Sequence, residues 1–136
     1  MRVIFTDSIT YKVLKRIEAL PSNVVLRSDI ANIANPRQIS RAINRLIKDG
    51  RLTKLGYGVY AKLARSQPGQ TSYLKKGVLS TLREALTRLN IKWELSDEER
   101  DYQAGRSTQV PANPSTKLKN RFRRQLQYRN MGLKFG

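Results

Sequence analysis

The 136-residue chain contains no cysteine and no histidine. The first absence excludes a disulfide framework and thiolate chemistry, and the second removes the commonest general base and the commonest transition-metal ligand. Acidic residues are also scarce, because ten Asp and Glu stand against 27 Lys and Arg, which gives a formal net charge of +17. A protein with this charge attracts polyanions such as nucleic acids.

Long apolar runs are absent as well. No run approaches the roughly 18 apolar residues of a membrane span, and the N-terminus lacks the apolar segment of a signal peptide. We therefore expect a cytoplasmic protein that does not bind membranes. The basic residues are spread evenly, with 13 basic and 4 acidic residues in 1–70 and 14 and 6 in 71–136. Both halves are therefore expected to contact nucleic acid.

Residues 35–50 have the pattern of an amphipathic helix. Asn35 can cap it, Pro36 fits its first position, where no N–H is needed, and Gly50 suits its end. Apolar residues recur at helical spacing: Ile39, Ala42, Ile43, Leu46 and Ile47. The opposite face consists of Arg37, Gln38, Arg41, Asn44, Arg45 and Lys48. Such a face can simply be solvated, but Arg, Asn and Gln also match guanine and adenine edges, so we expect it to read DNA.

The segments on either side of this helix predict a winged helix-turn-helix. On the N-terminal side, Ser28 can cap a short helix that runs to residue 34, and residues 8–20 have the apolar spacing of a further helix. On the C-terminal side, the apolar runs 52–55 and 59–63 are joined by Gly56-Tyr57-Gly58, which indicates a β-hairpin.

We expect this hairpin to be the wing. Residues 24–26 can add a third short strand to it. In a winged helix-turn-helix, the second helix of the motif enters the major groove, and the hairpin contacts the backbone or the minor groove. The candidate wing contacts are Lys54, Tyr57 and Lys62.

The second half predicts a small helix-plus-strands module, so the fold class is α+β. Residues 64–72 have the composition of a linker, and we divide the chain into a DNA-binding domain 1–66, a linker 67–72 and a basic module 73–136. Helical periodicity returns over 73–90, and residues 91–95 alternate like a half-buried strand.

An acidic cluster lies between these segments and the C-terminal stretch: Glu94, Asp97, Glu98, Glu99 and Asp101. It could be a Mg²⁺ site for nuclease or transferase chemistry. We favour a structural role, because Ser96 and Glu99 have the spacing of a capping box, and acids in a first turn interact favourably with the helix dipole. We therefore expect no enzymatic activity, no metal and no cofactor.

The stretch 117–135 contains seven cations and no acid. From 118 to 128 its apolar residues alternate in a way that suits one or two strands, although Leu118, Phe122 and Leu126 also have helical spacing. Its candidate contacts with the nucleic-acid backbone are Lys117, Lys119, Arg121, Arg123 and Arg124.

Two motifs resemble a known family. Residues 46–62, LIKDGRLTKLGYGVYAK, with Gly58-Val59-Tyr60-Ala61 at the wing, resemble the N-terminal winged-helix module of AbiEi-like antitoxins of type IV toxin–antitoxin systems. Ser107–Ala112, STQVPA, resembles the start of that family's C-terminal domain. Together the likeness spans most of residues 10–112. It implies an antitoxin that represses its own operon and is functionally paired with a nucleotidyltransferase-like toxin, without necessarily binding it.

The sequence thus predicts a sequence-specific protein that binds double-stranded DNA at its own promoter, where it could act as a homodimer. Two alternatives stay open at this point. One is a structural, ribosome-associated RNA-binding protein that uses charge and shape rather than base recognition. The other is a stand-alone winged-helix transcriptional repressor.

Overall fold

A computed structural model describes residues 8–64, 72–112 and 114–136. Most of the predicted linker 67–72 lies outside these ranges. Within them the chain has the expected mixed α+β architecture, with four α-helices: α1 (Ile9–Ala19), α2 (Pro36–Lys48), α3 (Gly77–Arg88) and α4 (Asp97–Gln103). The described strands are β1 (Val24–Leu26), β2 (Leu52–Gly56), β3 (Val59–Lys62), β4 (Trp93–Leu95), β5 (Thr116–Leu118), β6 (Gln127–Tyr128) and β7 (Met131–Gly132). No helix in the described part of the chain is long and apolar enough to cross a membrane.

Side-chain caps fix where the first two helices begin. The hydroxyl of Ser8 accepts a hydrogen bond from the N–H of Tyr11 at 3.0 Å and caps α1. The side chain of Asn35 accepts one from the N–H of Gln38 at 2.9 Å and caps α2. Gly50 follows α2 with φ of 76°, a conformation that favours glycine. The predictions for α1 and α2 are confirmed to within a residue or two.

The predicted short helix between Ser28 and residue 34 is wrong. The chain forms only a 3-10 turn over Arg27–Asp29, followed by further turns. Asp29 stabilises the turn instead of Ser28, because its carboxylate accepts a hydrogen bond from the N–H of Leu26 at 2.8 Å. The carbonyls of Arg27 and Ile30 accept hydrogen bonds from the N–H groups three residues later, those of Ile30 and Ile33, both at 3.2 Å, so the segment forms successive tight turns instead of an α-helix. Ile30 is nevertheless fully buried, as a core position should be.

Strands β1, β2 and β3 form an antiparallel sheet in the order β1-β3-β2. The hairpin β2–β3 turns at Tyr57-Gly58, where Gly58 has φ of 68°, so the predicted hairpin and its third strand are confirmed. Both faces of this sheet are covered. Alternate side chains of β1 and β3 therefore belong to two different cores.

The first core lies between the sheet and helices α1 and α2. Its buried members are Val13, Ile17, Val25, Ile30, Ile39, Ala42, Ile43, Leu46, Leu52 and Tyr60. The second core lies on the opposite face of the sheet, under α3 and the C-terminal strands. Its buried members are Val24, Leu55, Val59, Ala61, Leu74, Leu82, Ala85, Leu86, Leu126 and Tyr128. The two halves of the chain thus share the second core.

Polar contacts from α3 also hold the halves together. The carboxylate of Glu84 accepts hydrogen bonds from the N–H groups of Asn23 at 2.7 Å and Val24 at 3.3 Å, and from the hydroxyl of Ser22. One turn later on α3, Arg88 forms an ion pair with Asp29. These contacts fix α3 to the start of β1 and to the turn that follows it.

The second half contains two further strand pairs. β4 pairs with β5, and β6 pairs with β7, both antiparallel. Ser96 caps helix α4 and forms the predicted capping box with Glu99. Helix α3 is shorter than predicted at its start, because Tyr73 forms a bridge with Ala64 instead of a helical turn. Regular structure is absent from residues 119–126, so of the one or two strands predicted over 118–128 only the two ends form, in β5 and β6, and the alternative helix does not form.

Candidate nucleic-acid interface

Helix α2 presents most of its predicted polar face to solvent. Five of the six predicted side chains are exposed: Arg37, Gln38, Arg41, Asn44 and Lys48. The sixth, Arg45, is half-buried and lies with its Nε 3.3 Å from the carboxylate of Asp49. The apolar face of the same helix is buried in the first core. The exposed face is therefore cationic and rich in hydrogen-bond donors.

The hairpin lies beside this face, across a groove. A cavity of about 500 Å³ is lined on one side by Ser40 and Asn44 of α2 and on the other by Lys54 and Tyr57 of the hairpin. Tyr57, at the hairpin turn, is 85% exposed. The structure thus brings together residues that the sequence assigned separately to the second helix of the motif and to the wing.

Arg27, which sequence analysis did not select, connects the two walls of this groove. Its guanidinium donates hydrogen bonds to the carbonyl of Pro36 at 2.8 Å and to the hydroxyl of Ser40 at 3.0 Å. Its backbone N–H donates to the carbonyl of Gly58 at 2.9 Å. Arg27 therefore sets the distance between the first turn of α2 and the hairpin turn. Its position directly after β1 gave no sequence signal for this role.

A second cavity, of about 460 Å³, lies beside the same hairpin and is lined by Lys54, Tyr57, Arg124 and Gln125, among others. Arg124 donates a hydrogen bond to the backbone carbonyl of Tyr57. The chain approaches so closely here that a Cβ on Gly56 would lie 2.6 Å from the carbonyl oxygen of Gln125. This contact requires glycine at position 56.

Lys62 does not share the surface formed by Lys54 and Tyr57. Its ammonium donates a hydrogen bond to the carbonyl of Leu20 at the end of α1, at 2.6 Å. Burial lowers the pKa of Lys62, against the opposing attraction of Glu84 and Glu18. Lys62 thus caps α1 and joins it to the sheet, and it lies outside the groove that Lys54 and Tyr57 line.

Two of the five predicted C-terminal contacts are held by acids of the second half. Lys117 lies 2.7 Å from the carboxylate of Asp97, and Lys119 lies 2.7 Å from that of Glu94. Hydrogen bonds from these lysines hold the pKa of Asp97 and of Glu94 below their usual values. The three arginines of this stretch, Arg121, Arg123 and Arg124, are exposed.

Two further members of the acidic cluster, Glu99 and Asp101, also form ion pairs. The carboxylate of Glu99 receives two hydrogen bonds from Arg83, at 2.7 and 2.8 Å, which keep its pKa low although burial acts to raise it. Asp101 pairs with Arg106 at 3.0 Å. Among the described residues, no group of acidic, cysteine or histidine side chains could hold a metal ion.

The exposed polar residues of α2, the hairpin turn and the arginines of residues 121–124 are therefore the candidate interface. Comparison of the chain with protein-family models, with curated proteins and with solved structures finds no match.

Proposed function

We propose that the protein binds double-stranded DNA in a sequence-specific manner through a winged helix-turn-helix formed by residues 8–64. In this proposal, the 3-10 turn Arg27–Asp29 and the turns after it take the place of the motif's first helix, α2 is its second helix, and the hairpin β2–β3 is the wing. The order of elements and the sheet order β1-β3-β2 support this arrangement. The net charge of +17 supports a polyanionic partner.

The observation that carries the proposal is the groove between α2 and the hairpin. Asn44 lines it opposite Lys54 and Tyr57, and Arg41 is exposed three residues before Asn44 on the same helix. Arg and Asn are the side chains that form paired hydrogen bonds with guanine and adenine in the major groove. Lys54 at the groove's other wall suits a phosphate, which positions the protein without reading sequence.

Binding measurements on the protein's own promoter, on random duplex and on RNA test this proposal. Arg41→Ala or Asn44→Ala should cost roughly 1–3 kcal/mol on the promoter and little on random DNA. Lys54→Ala should weaken binding to both DNAs equally, and it should reduce the slope of log affinity against log salt concentration by about one unit. Arg106→Ala, which removes an exposed cation paired with Asp101, is the matched control.

If Arg41→Ala reduces the affinity for the promoter, random DNA and RNA by the same factor, base recognition by α2 is refuted. Binding that favours RNA in the wild-type protein would instead support the structural RNA-binding alternative. The charge carried by both halves is compatible with either partner.

The resemblance to AbiEi-like antitoxins leads us to extend the proposal to an autorepressing antitoxin. Its support is the wing motif Gly58–Ala61 and the motif Ser107–Ala112, whose Val110 is 63% exposed beside α4. The test is rescue of growth in cells that express a neighbouring nucleotidyltransferase-like toxin. The full chain with Arg41→Ala and Asn44→Ala should lose promoter repression and keep rescue. Failure of the wild-type chain to rescue would reduce the protein to a stand-alone repressor.

A further inference from the structure

The hairpin turn has a groove on each side, which a wing that borders only α2 would not have. Lys54 and Tyr57 line both cavities described above. On one side the opposite wall is α2, and on the other it is the segment 124–127. The hairpin is therefore a ridge between the first and second halves of the chain.

The segment that forms the far wall is fixed to this ridge. Arg124 donates to the carbonyl of Tyr57, and the carbonyl of Gln125 packs against Gly56. Leu126 is buried in the second core, and Phe122 packs against it. The segment 121–126, which we call the arginine loop, is thus anchored on the hairpin by both backbone and apolar contacts.

The arginine loop presents its charge outward. Arg121 and Arg123 are exposed on either side of the partly buried Phe122, and no acid occurs between residues 117 and 135. Lys117 and Lys119, which precede the loop, already pair with acids of the second half. Arg121 and Arg123 are therefore exposed cations within three residues of Arg124, which lines the groove beside the hairpin.

We propose that the arginine loop acts as a second wall of the wing and binds the DNA backbone on the side of the hairpin away from α2. The inference rests on the proposed DNA binding. A minor groove is about 6 Å wide and is bordered by two phosphate backbones. A ridge that enters it has one backbone on each side, and here Lys54 lines the groove on both sides of the ridge and Arg124 lines the one away from α2. Lys54, which lines both grooves, serves the near backbone, and Arg121 and Arg123, which lie next to Arg124 of the far wall in the chain, serve the far one.

Phosphate contacts of this kind add affinity and salt dependence, and they add no base preference. The double variant Arg121→Ala/Arg123→Ala should reduce the slope of log affinity against log salt by about 1.8 units, or 0.9 for each contact. When the salt concentration rises from about 50 to 200 mM, the factor by which affinity falls should consequently be roughly ten times smaller for the variant than for the wild type. The ratio of promoter to random-DNA affinity should not change.

The matched control is Arg100→Ala/Arg106→Ala, which removes the same charge from exposed positions on and after α4. A second measurement uses promoter duplexes with neutral methylphosphonates placed at successive backbone positions. A methylphosphonate on the side of the wing away from α2 should weaken binding of the wild type. The same methylphosphonate should not affect binding of the Arg121/Arg123 variant.

Salt slopes that match those of the control pair, or equal sensitivity of variant and wild type to every methylphosphonate, would overturn the arginine loop's role. This failure differs from that of the proposed function. Loss of base recognition by α2 would appear as an unchanged affinity ratio in Arg41→Ala, independently of what the loop variant does.

Discussion

The sheet that carries the wing needs the second half of the chain to cover it, so a fragment of residues 1–66 should not fold stably. Val24, Leu55 and Val59 are at most 2% exposed, and their partners in the second core come from α3 and the C-terminal strands. Complete burial of a Val or Leu side chain contributes about 1.5–3 kcal/mol. Truncation after residue 66 would remove that cover from all three.

The expected loss is therefore about 5–9 kcal/mol, against a total stability of about 5–15 kcal/mol for a typical domain. The fragment would also lose the hydrogen bonds from Asn23 and Val24 to Glu84 and the pairing of Arg88 with Asp29. Urea denaturation followed by circular dichroism, together with amide NMR spectra, measures the outcome for the fragment and the full chain.

We expect the fragment to show no cooperative transition and to regain one when a separate peptide of residues 73–136 is added. A fragment that unfolds cooperatively by itself, with a free energy within about 2 kcal/mol of the full chain, would refute the reasoning. The two sequence-defined modules would then be independent domains.

Three further predictions concern single side chains, each tested by urea denaturation. Gly56→Ala should destabilise the protein by about 1–3 kcal/mol, because the new Cβ would collide with the carbonyl of Gln125. Glu99→Ala should cost about 3–5 kcal/mol, because it leaves the buried guanidinium of Arg83 without its carboxylate. Burial acts to raise the pKa of Glu84, but hydrogen bonds from residues 22–24 outweigh it and keep the pKa below its usual 4.5. The free energy of unfolding that Glu84 contributes should therefore be complete above about pH 5 and be lost as the pH falls through the lowered pKa; Glu84→Gln should reduce this dependence.

Matched controls distinguish these effects from general sensitivity to substitution. Gly132→Ala places a Cβ at an ordinary 3.5 Å contact, and Glu98→Ala removes an exposed acid from the same helical turn as Glu99. Glu18→Gln neutralises an acid in an exposed pair with Lys15. If a control substitution changes the stability, or its pH dependence, as much as the substitution it is paired with, the structural cause given for that substitution is wrong.

The helices and the hairpin could be predicted because their signals are local. Asn35-Pro36 and Ser96 with Glu99 are caps whose partners lie within one turn, and Tyr57-Gly58 fits a two-residue hairpin loop. The sequence analysis did not predict that the second face of the sheet is buried, although the sequence contains a sign of this burial. Val24-Val25 and Val59–Ala61 are continuous apolar runs, which are typical of strands buried on both faces.

The C-terminal stretch could not be predicted because alternation alone does not create a strand. β5 ends at Leu118, opposite Trp93 at the start of β4, so the residues that follow have no partner strand there. The candidate site shows the same limit. Charge alone could not distinguish Lys62, which is bonded to a helix end, from Lys54, which is exposed, because that difference depends on tertiary contacts.

The two cores differ in how far apart their members lie along the chain, and this difference bears on folding kinetics. The first core joins residues between Val13 and Tyr60, whereas the second joins Val24 to Tyr128. Closing long loops costs entropy, so contacts between distant residues form more slowly. During synthesis, residues 8–64 leave the ribosome before residues 126–128 exist to cover their sheet. The nascent chain should therefore expose the apolar residues of β1, β2 and β3 to chaperones until the C-terminal strands follow.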